Sequence, residues 1–332
     1  MKIGYLGAGT WGIALASILA QNGHTVVVWT RDEAFAKLLQ TQRVHPKLSY
    51  YTVPESLRFT SDLSEAIHDV DLLVESVTSS GLRKVFEQVN QIRSIHCPVI
   101  LTSKGIEQGT LEFLPEVVSE IIGTAKSPLV GCLSGPSLAD EVVQNLPTSV
   151  VCSAYDPALA KLIQELFTTP TFRIYPNSDI RGVCFGGAMK NIVAIACGIA
   201  DGLGCGDNTK AALMTRGLHE IKKLSLTKDC KPETLNGLSG MGDLCVTCLS
   251  RHSRNYRLGH LIAEGMTPEA AKLKIGMAVE GIYSCVSARQ LAHLYKVPVP
   301  ITEATYSILY EGLDPRVAVK ALLTRAIKEE HL

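Results

Sequence analysis

The chain reads as an α/β N-terminal half, built on a doubly wound and mainly parallel sheet, followed by an all-α C-terminal half. Three observations predict this. A strand, a glycine-rich turn, a helix and a second strand succeed one another between Lys2 and Trp29. Further short strand-like runs, separated by helical or loop segments, continue to about Ser153. Beyond Ser178 the pattern is almost wholly helical, without β alternation, to Leu332.

Size and charge bound the rest. A single core stops growing at about 250 to 300 residues, so a chain of 332 residues is expected to form two domains. The change of pattern around Arg173 to Ser178 sets them at residues 1–176 and 177–332, with no Pro/Ser-rich linker, so the two halves are expected to pack closely around a cleft. Lys plus Arg equal Asp plus Glu at 32 each, which leaves no net field to attract nucleic acid or an acidic bilayer. The apolar start is broken by glycines and shows no cleavage site, so the mature chain is expected to begin at Met1. Ten cysteines are scattered, often among apolar neighbours (Cys132, Cys152, Cys184, Cys197), as reduced core thiols of a cytoplasmic protein would be.

In chain order, Lys2 to Leu6 alternates into a strand, and Gly7-Ala8-Gly9-Thr10-Trp11-Gly12 turns the chain. A small-residue helix follows from Ile13 to Gln21, then a strand from Thr25 to Trp29. In that context the GxGxxG spacing points to a Rossmann-like dinucleotide site. Gly7 permits the turn, Gly9 lets backbone approach a pyrophosphate, Gly12 allows close packing, and the helix N-terminus offers N–H groups to the phosphates. At the end of the second strand, Arg31 either suits a 2′-phosphate, which argues for NADP, or is a solvated surface charge. Asp32 either caps the next helix or leaves NAD use open.

Strand-like runs follow at Asp71 to Val77, Pro98 to Thr102, Leu129 to Leu133 and Ser149 to Ser153. After three of them stand polar loops: Thr78-Ser79-Ser80-Gly81, Ser103-Lys104-Gly105-Ile106-Glu107 and Ser134-Gly135-Pro136-Ser137. Ligands of open α/β sheets bind beyond the carboxyl ends of strands, which makes Lys104 either a contact to an anionic ligand or a surface lysine. Pro176-Asn177-Ser178-Asp179 then signals a helix start.

The helical half is organised around Val183 to Ala200, where Lys190 and Asn191 interrupt small and apolar residues. Two polar groups at the centre argue against a membrane span, so this is expected to be a buried helix. A buried ammonium has to be paired, neutralised or turned to a polar cavity. The glycines from Gly198 to Gly206 are expected to break this helix and lead into another through Arg216 to Leu224. Asp243 sits in the Gly240-Met241-Gly242-Asp243-Leu244 cluster. Ser253, Arg254 and Asn255 open a helix, where they either hold a phosphate or form a basic capped turn. Cys245-Val246-Thr247-Cys248 has no second pair, and the nine histidines show no ligand spacing, so no metal is expected.

A nicotinamide enzyme that interconverts an alcohol and a ketone needs a proton donor and acceptor at the carbinol oxygen. Lys190 fits that need if burial or a neighbouring cation such as Lys104 lowers its pKa, with Asp243 orienting it. The alternatives are a structural ion pair for Lys190 and a capping role for Asp243.

Long ordered motifs cover nearly the whole chain: GAGTWGIALA from Gly7, SKGIE from Ser103, LSGPSLADEV from Leu133, GGAMKNIVAIACGIADGLGCGDNTKAALMTRGL from Gly186, GLSGMGDL from Gly237, SRHSRNYRLG from Ser250 and VEG from Val279. In these the chain resembles the NAD(P)-dependent glycerol-3-phosphate dehydrogenases of the soluble, bacterial kind. The resemblance implies that Lys190 is the catalytic acid/base, and that Lys104, Gly135, Ser137, Asp243, Ser253, Arg254 and Asn255 join it in contacting the phosphorylated substrate. It implies a dinucleotide site, for NADP or NAD, lined by Thr10, Trp11, Arg31, Lys104, Ala139, Arg254, Ala278 and Glu280 beside Gly7, Gly9 and Gly12. It further implies reduction of dihydroxyacetone phosphate to sn-glycerol 3-phosphate for phospholipid synthesis, and a homodimer. The chain departs from the family in having Val77-Thr78-Ser79 for Val-Pro-Ser, Cys205 for an aromatic residue and Ala278 for valine. The competing readings are a related two-domain β-hydroxy acid dehydrogenase or ketopantoate reductase, and a non-catalytic nucleotide sensor. The carboxylate enzymes would not need the Ser253 cluster, and the sensor would not need Lys190.

Overall fold

The computed structural model describes residues 1–326 and 329 and divides into two compact units, Met1–Ser103 with Phe113–Ile180, and Lys104–Glu112 with Arg181–Leu332. The last few residues of the helical pattern expected to reach Leu332 therefore lie outside the described residues.

The first unit holds β1 (Lys2–Leu6), α1 (Thr10–Gln21), β2 (Thr25–Trp29), α2 (Glu33–Gln42), β3 (Arg58–Thr60), α3 (Leu63–Ile67) and β4 (Leu72–Glu75). It continues with α4 (Leu82–Ile92), β5 (Val99–Leu101), α5 (Leu114–Ile122), β6 (Val130–Ser134), α6 (Ala139–Val143), β7 (Thr148–Ala154), α7 (Pro157–Phe167) and β8 (Phe172–Asn177). The eight strands form one sheet in the order β3-β2-β1-β4-β5-β6-β7-β8, parallel throughout except where β7 runs antiparallel to β6. Consecutive residues of β1, β4 and β6 are buried, as parallel strands covered on both faces must be. Strand order reverses at β1, whose Leu6 pairs with Trp29 on one side and Glu75 on the other. The carboxyl ends of β1 and β4 thus define the switch point at which such sheets bind ligands.

Two strands escape the sequence reading. β3 is too short for any alternation to show. β8 covers the stretch read as the approach to a helix, and its Pro176 is tolerated because β8 is an edge strand. Helix α1 also starts three residues earlier than Ile13, directly on the glycine turn, with Gly9 as its N-cap.

The second unit is helical: α8 (Ile180–Gly202), α9 (Gly206–Ser225), α10 (Asp243–Leu249), α11 (Arg254–Ala263), α12 (Pro268–Ile275), α13 (Glu280–Tyr295), α14 (Pro300–Tyr310) and α15 (Pro315–Leu323). α8 is apolar all round and forms the core of this unit. It has the length and composition of a membrane span, yet 94% of its most apolar window is buried inside the fold. The break expected between Gly198 and Gly206 falls at residues 203–205, between α8 and α9, while Gly198 itself lies inside α8. Its role is contact: a Cβ there would stand 2.0 Å from the Tyr256 carbonyl oxygen, and one on Gly259 would stand 2.1 Å from that of Ile195. The two glycines let α8 and α11 touch backbone to backbone.

Candidate active site

In the first unit, the glycine-rich turn follows β1 at the switch point. Gly7 has φ +115°, and a Cβ on it would meet the Ser76 carbonyl oxygen at 2.7 Å. A Cβ on Gly12 would stand 2.2 Å from the Gly7 oxygen, whereas Gly9 has nothing within 4 Å. Gly7 and Gly12 are therefore fixed by packing, and Gly9 faces open space. The first intrahelical bond of α1 runs from Ile13 N–H to the Gly9 oxygen at 2.9 Å. No side chain caps this helix, and no acidic residue stands in its first turn. An open glycine before uncapped N–H groups fits the pyrophosphate of a dinucleotide. Arg31 is exposed just beyond β2, and Asp32 uses its carboxylate to cap α2, accepting from Phe35 N–H at 3.0 Å. Beyond β6, Gly135 has φ +142°, Ser137 donates its hydroxyl to the Gly135 oxygen at 2.9 Å, and Ala139 opens α6.

The second unit gathers the charged candidates. Gly186 and Lys190 are four residues apart on α8 and so share a face. A Cβ on Gly186 would stand 2.6 Å from the Ser239 oxygen, so the absence of a side chain admits the turn that leads into α10. One turn further along α8, Lys190 then meets the first residue of α10. Its Nζ lies 2.5 Å from Oδ1 of Asp243 and 2.7 Å from Oγ1 of Thr247. The other Asp243 oxygen accepts from Lys104 Nζ at 2.6 Å. Asp243 is 1% exposed and Lys190 8%. Burial lowers the Lys190 pKa to about 8, with Asp243 opposing the shift and Lys104 adding to it. Of the readings the sequence left open for Asp243, the structure shows the contact to the lysine.

Lys104 enters this unit on the segment Lys104–Glu112, which α13 holds: Ser287 donates to the Ile106 oxygen at 3.1 Å, and Gln108 to that of Tyr283 at 3.3 Å. Ser253 is the N-cap of α11, its Oγ accepting from Tyr256 N–H at 3.2 Å. Arg254 follows, its pKa lowered by burial and supported by the charge of Glu280. Asn255 joins three helices, donating to Oδ1 of Asn191 on α8 at 2.9 Å and accepting from Gly281 N–H on α13 at 2.9 Å. Ala278 precedes α13 and is half-buried.

Thr247 escaped the sequence reading. Its signal is the i, i+4 spacing from Asp243, which places both on one face of α10. Cys245 and Cys248 flank Thr247 with a CxxC spacing that masks this signal. Asn191 stood out as a buried polar group, but its partner Asn255 is 64 residues away in sequence.

A switch-point dinucleotide turn in one unit, and a buried lysine, aspartate and threonine in a helical other, define a two-domain dinucleotide-dependent oxidoreductase. Two family models match in series: the NAD-dependent glycerol-3-phosphate dehydrogenase N-terminus over residues 2–160 and its C-terminus over 179–320. The chain belongs to this family. It is 57% identical to the glycerol-3-phosphate dehydrogenase [NAD(P)+] of Protochlamydia amoebophila over 331 residues, 100% of this chain and 99% of that one. It is 54% identical to the enzyme of the same name from Chlamydia pneumoniae, covering 99% of each. The crystal structure of glycerol-3-phosphate dehydrogenase from Coxiella burnetii superposes with TM-score 0.93 at 38% identity, over 98% of this chain and 99% of that one.

Proposed function

We propose that the chain catalyses the NAD(P)H-dependent reduction of dihydroxyacetone phosphate to sn-glycerol 3-phosphate, and its reverse, with Lys190 as the acid/base. The observation that carries this reading is the Lys190–Asp243–Thr247 contact. It aims a buried ammonium of lowered pKa with two acceptors, so that the group can release a proton near neutral pH. The bound nicotinamide supplies or takes the hydride. In reduction, Lys190 gives its proton to the ketone oxygen as that oxygen gains charge, and Asp243 holds the amine in place as the charge leaves it. In oxidation, the neutral amine takes the proton back. Lys104 shares Asp243, so two ammonium groups stand beside one another, an arrangement that suits a phosphorylated substrate. Arg254, at the start of α11, would add a bidentate phosphate contact, together with the helix N-terminus. Gly135 and Ser137 are assigned to the substrate, and Thr10, Trp11, Arg31, Ala139, Ala278 and Glu280 to the dinucleotide, on the family pattern.

The ten cysteines, none of them in a disulfide, support residence in the reducing cytoplasm, where the product would feed phospholipid synthesis. A homodimer is the assembly the family pattern implies, and sedimentation velocity tests it.

The direct test is an absorbance assay of the purified protein with dihydroxyacetone phosphate and either NADH or NADPH, run against unphosphorylated dihydroxyacetone. Oxidation of either cofactor that requires the phosphate is the expected result. Equal rates without the phosphate, or no oxidation at all, would overturn the reading.

A further inference from the structure

Glu75 puts a carboxylate where a covered parallel sheet calls for an apolar side chain. It is the last residue of β4, 0% exposed, between Leu6 of β1 and Leu101 of β5. A carboxylate there is destabilising unless donors converge on it. Oε1 accepts from Val77 N–H at 2.6 Å and makes a very short bond with the Ser103 hydroxyl, which also reaches the Val77 carbonyl oxygen at 2.5 Å.

The Glu75 backbone anchors a second chain of bonds. Thr102 donates its hydroxyl to the Glu75 carbonyl oxygen at 2.8 Å. Its Oγ1 therefore accepts from Ser76, 2.5 Å away, and Ser76 in turn accepts from Tyr5, at 2.6 Å. Burial raises the Tyr5 pKa, and the Glu75 charge adds to the rise, so Tyr5 keeps the proton this direction requires. The exits of β1, β4 and β5 are tied together at the switch point.

What this knot supports is visible at Gly7. A Cβ there would lie 2.7 Å from the Ser76 oxygen and 3.1 Å from Val77 N, so the glycine-rich turn rests on the peptide that Glu75 holds. Ser103, the other partner of Glu75, is bonded covalently to Lys104. We propose that Glu75 is a positioning residue for the reaction. Through Val77 N–H it sets the turn that receives the dinucleotide, and through Ser103 it sets the peptide that carries Lys104. The proposal rests on the functional reading above, which assigns those two elements to cofactor and substrate.

Three variants test it, each measured for NADH affinity by fluorescence titration, for KM and kcat with dihydroxyacetone phosphate, and for melting by circular dichroism. Glu75→Leu removes both bonds and is expected to weaken NADH binding and raise the substrate KM by about tenfold each, as loss of a charge-assisted bond does. Glu75→Gln keeps an oxygen for both donors, and its two constants are expected to stay within about threefold of wild type. Ser103→Ala removes the hydroxyl that contacts both Glu75 Oε1 and the Val77 carbonyl oxygen, and is expected to raise both constants, the substrate KM the more. Wild-type constants in folded Glu75→Leu would overturn the proposal, as would a Gln variant as impaired as the Leu one. If Glu75→Leu does not fold, Ser103→Ala decides, and wild-type constants in that variant would overturn the proposal. Wild-type protein that fails to bind NADH in the same titration would instead overturn the functional reading.

Discussion

Lys190 and Asp243 meet at 2.5 Å across α8 and α10, and the same aspartate takes Lys104 at 2.6 Å on its other oxygen. One buried carboxylate thus holds the ammonium with the lowered pKa and a second cation beside it. The catalytic reading stands on that sharing.

The pH dependence follows from the direction of the shift. Reduction uses the protonated lysine, so kcat for dihydroxyacetone phosphate should hold below pH about 8 and fall as pH rises through it. Oxidation uses the neutral amine, so its kcat should rise over the same interval. Paired pH–rate profiles check this, and profiles that move in the same direction would contradict it.

Asp243→Asn removes the charge that keeps the Lys190 pKa from falling further. The fall of the reduction limb should move to lower pH, and kcat at neutral pH should drop by about a hundredfold. Melting should be lowered as well, because the variant leaves two buried or half-buried cations without their counter-charge.

The glycine turn separates folding from binding. Gly12→Ala drives a Cβ to 2.2 Å from the Gly7 oxygen and should destabilise the first unit. Gly9→Ala has open space and should melt close to wild type, yet bind NADH about tenfold or more weakly, because the methyl group stands where the pyrophosphate approaches. Calorimetry and fluorescence titration distinguish the two, and a Gly9 variant with full affinity would contradict the placement.

In the helical unit, Gly198→Ala should be among the most damaging small substitutions. Its Cβ would lie 2.0 Å from the Tyr256 oxygen, so α8 and α11 must part, at a cost of about 2 kcal/mol or more. Chemical denaturation measures the loss, and unchanged stability would contradict the backbone contact.

Much of this was legible in the sequence because it is local. The βαβ start, the GxGxxG turn and an apolar helix interrupted by Lys190 are each written in fewer than about 30 contiguous residues, the scale at which periodicity and glycine spacing report. What stayed hidden depends on distant partners. Asp243 lies 53 residues from Lys190 and 139 from Lys104, so no spacing rule could choose between a cap and a counter-ion. β8 reads as a helix approach because Pro176 and Asn177 carry the same local signals whether they end an edge strand or start a helix. Gly198 looks like a helix breaker until α11 is seen against it. Glu75, inside an apolar run, gave no sign of the Ser103 and Val77 donors that hold it.

The most direct test is Lys190→Ala, with steady-state turnover of dihydroxyacetone phosphate and NADH affinity measured on the same preparation. The expected result is a fall in kcat of about a hundredfold to ten-thousandfold, with the NADH dissociation constant unchanged within error. Full turnover in that variant would contradict the acid/base role of Lys190.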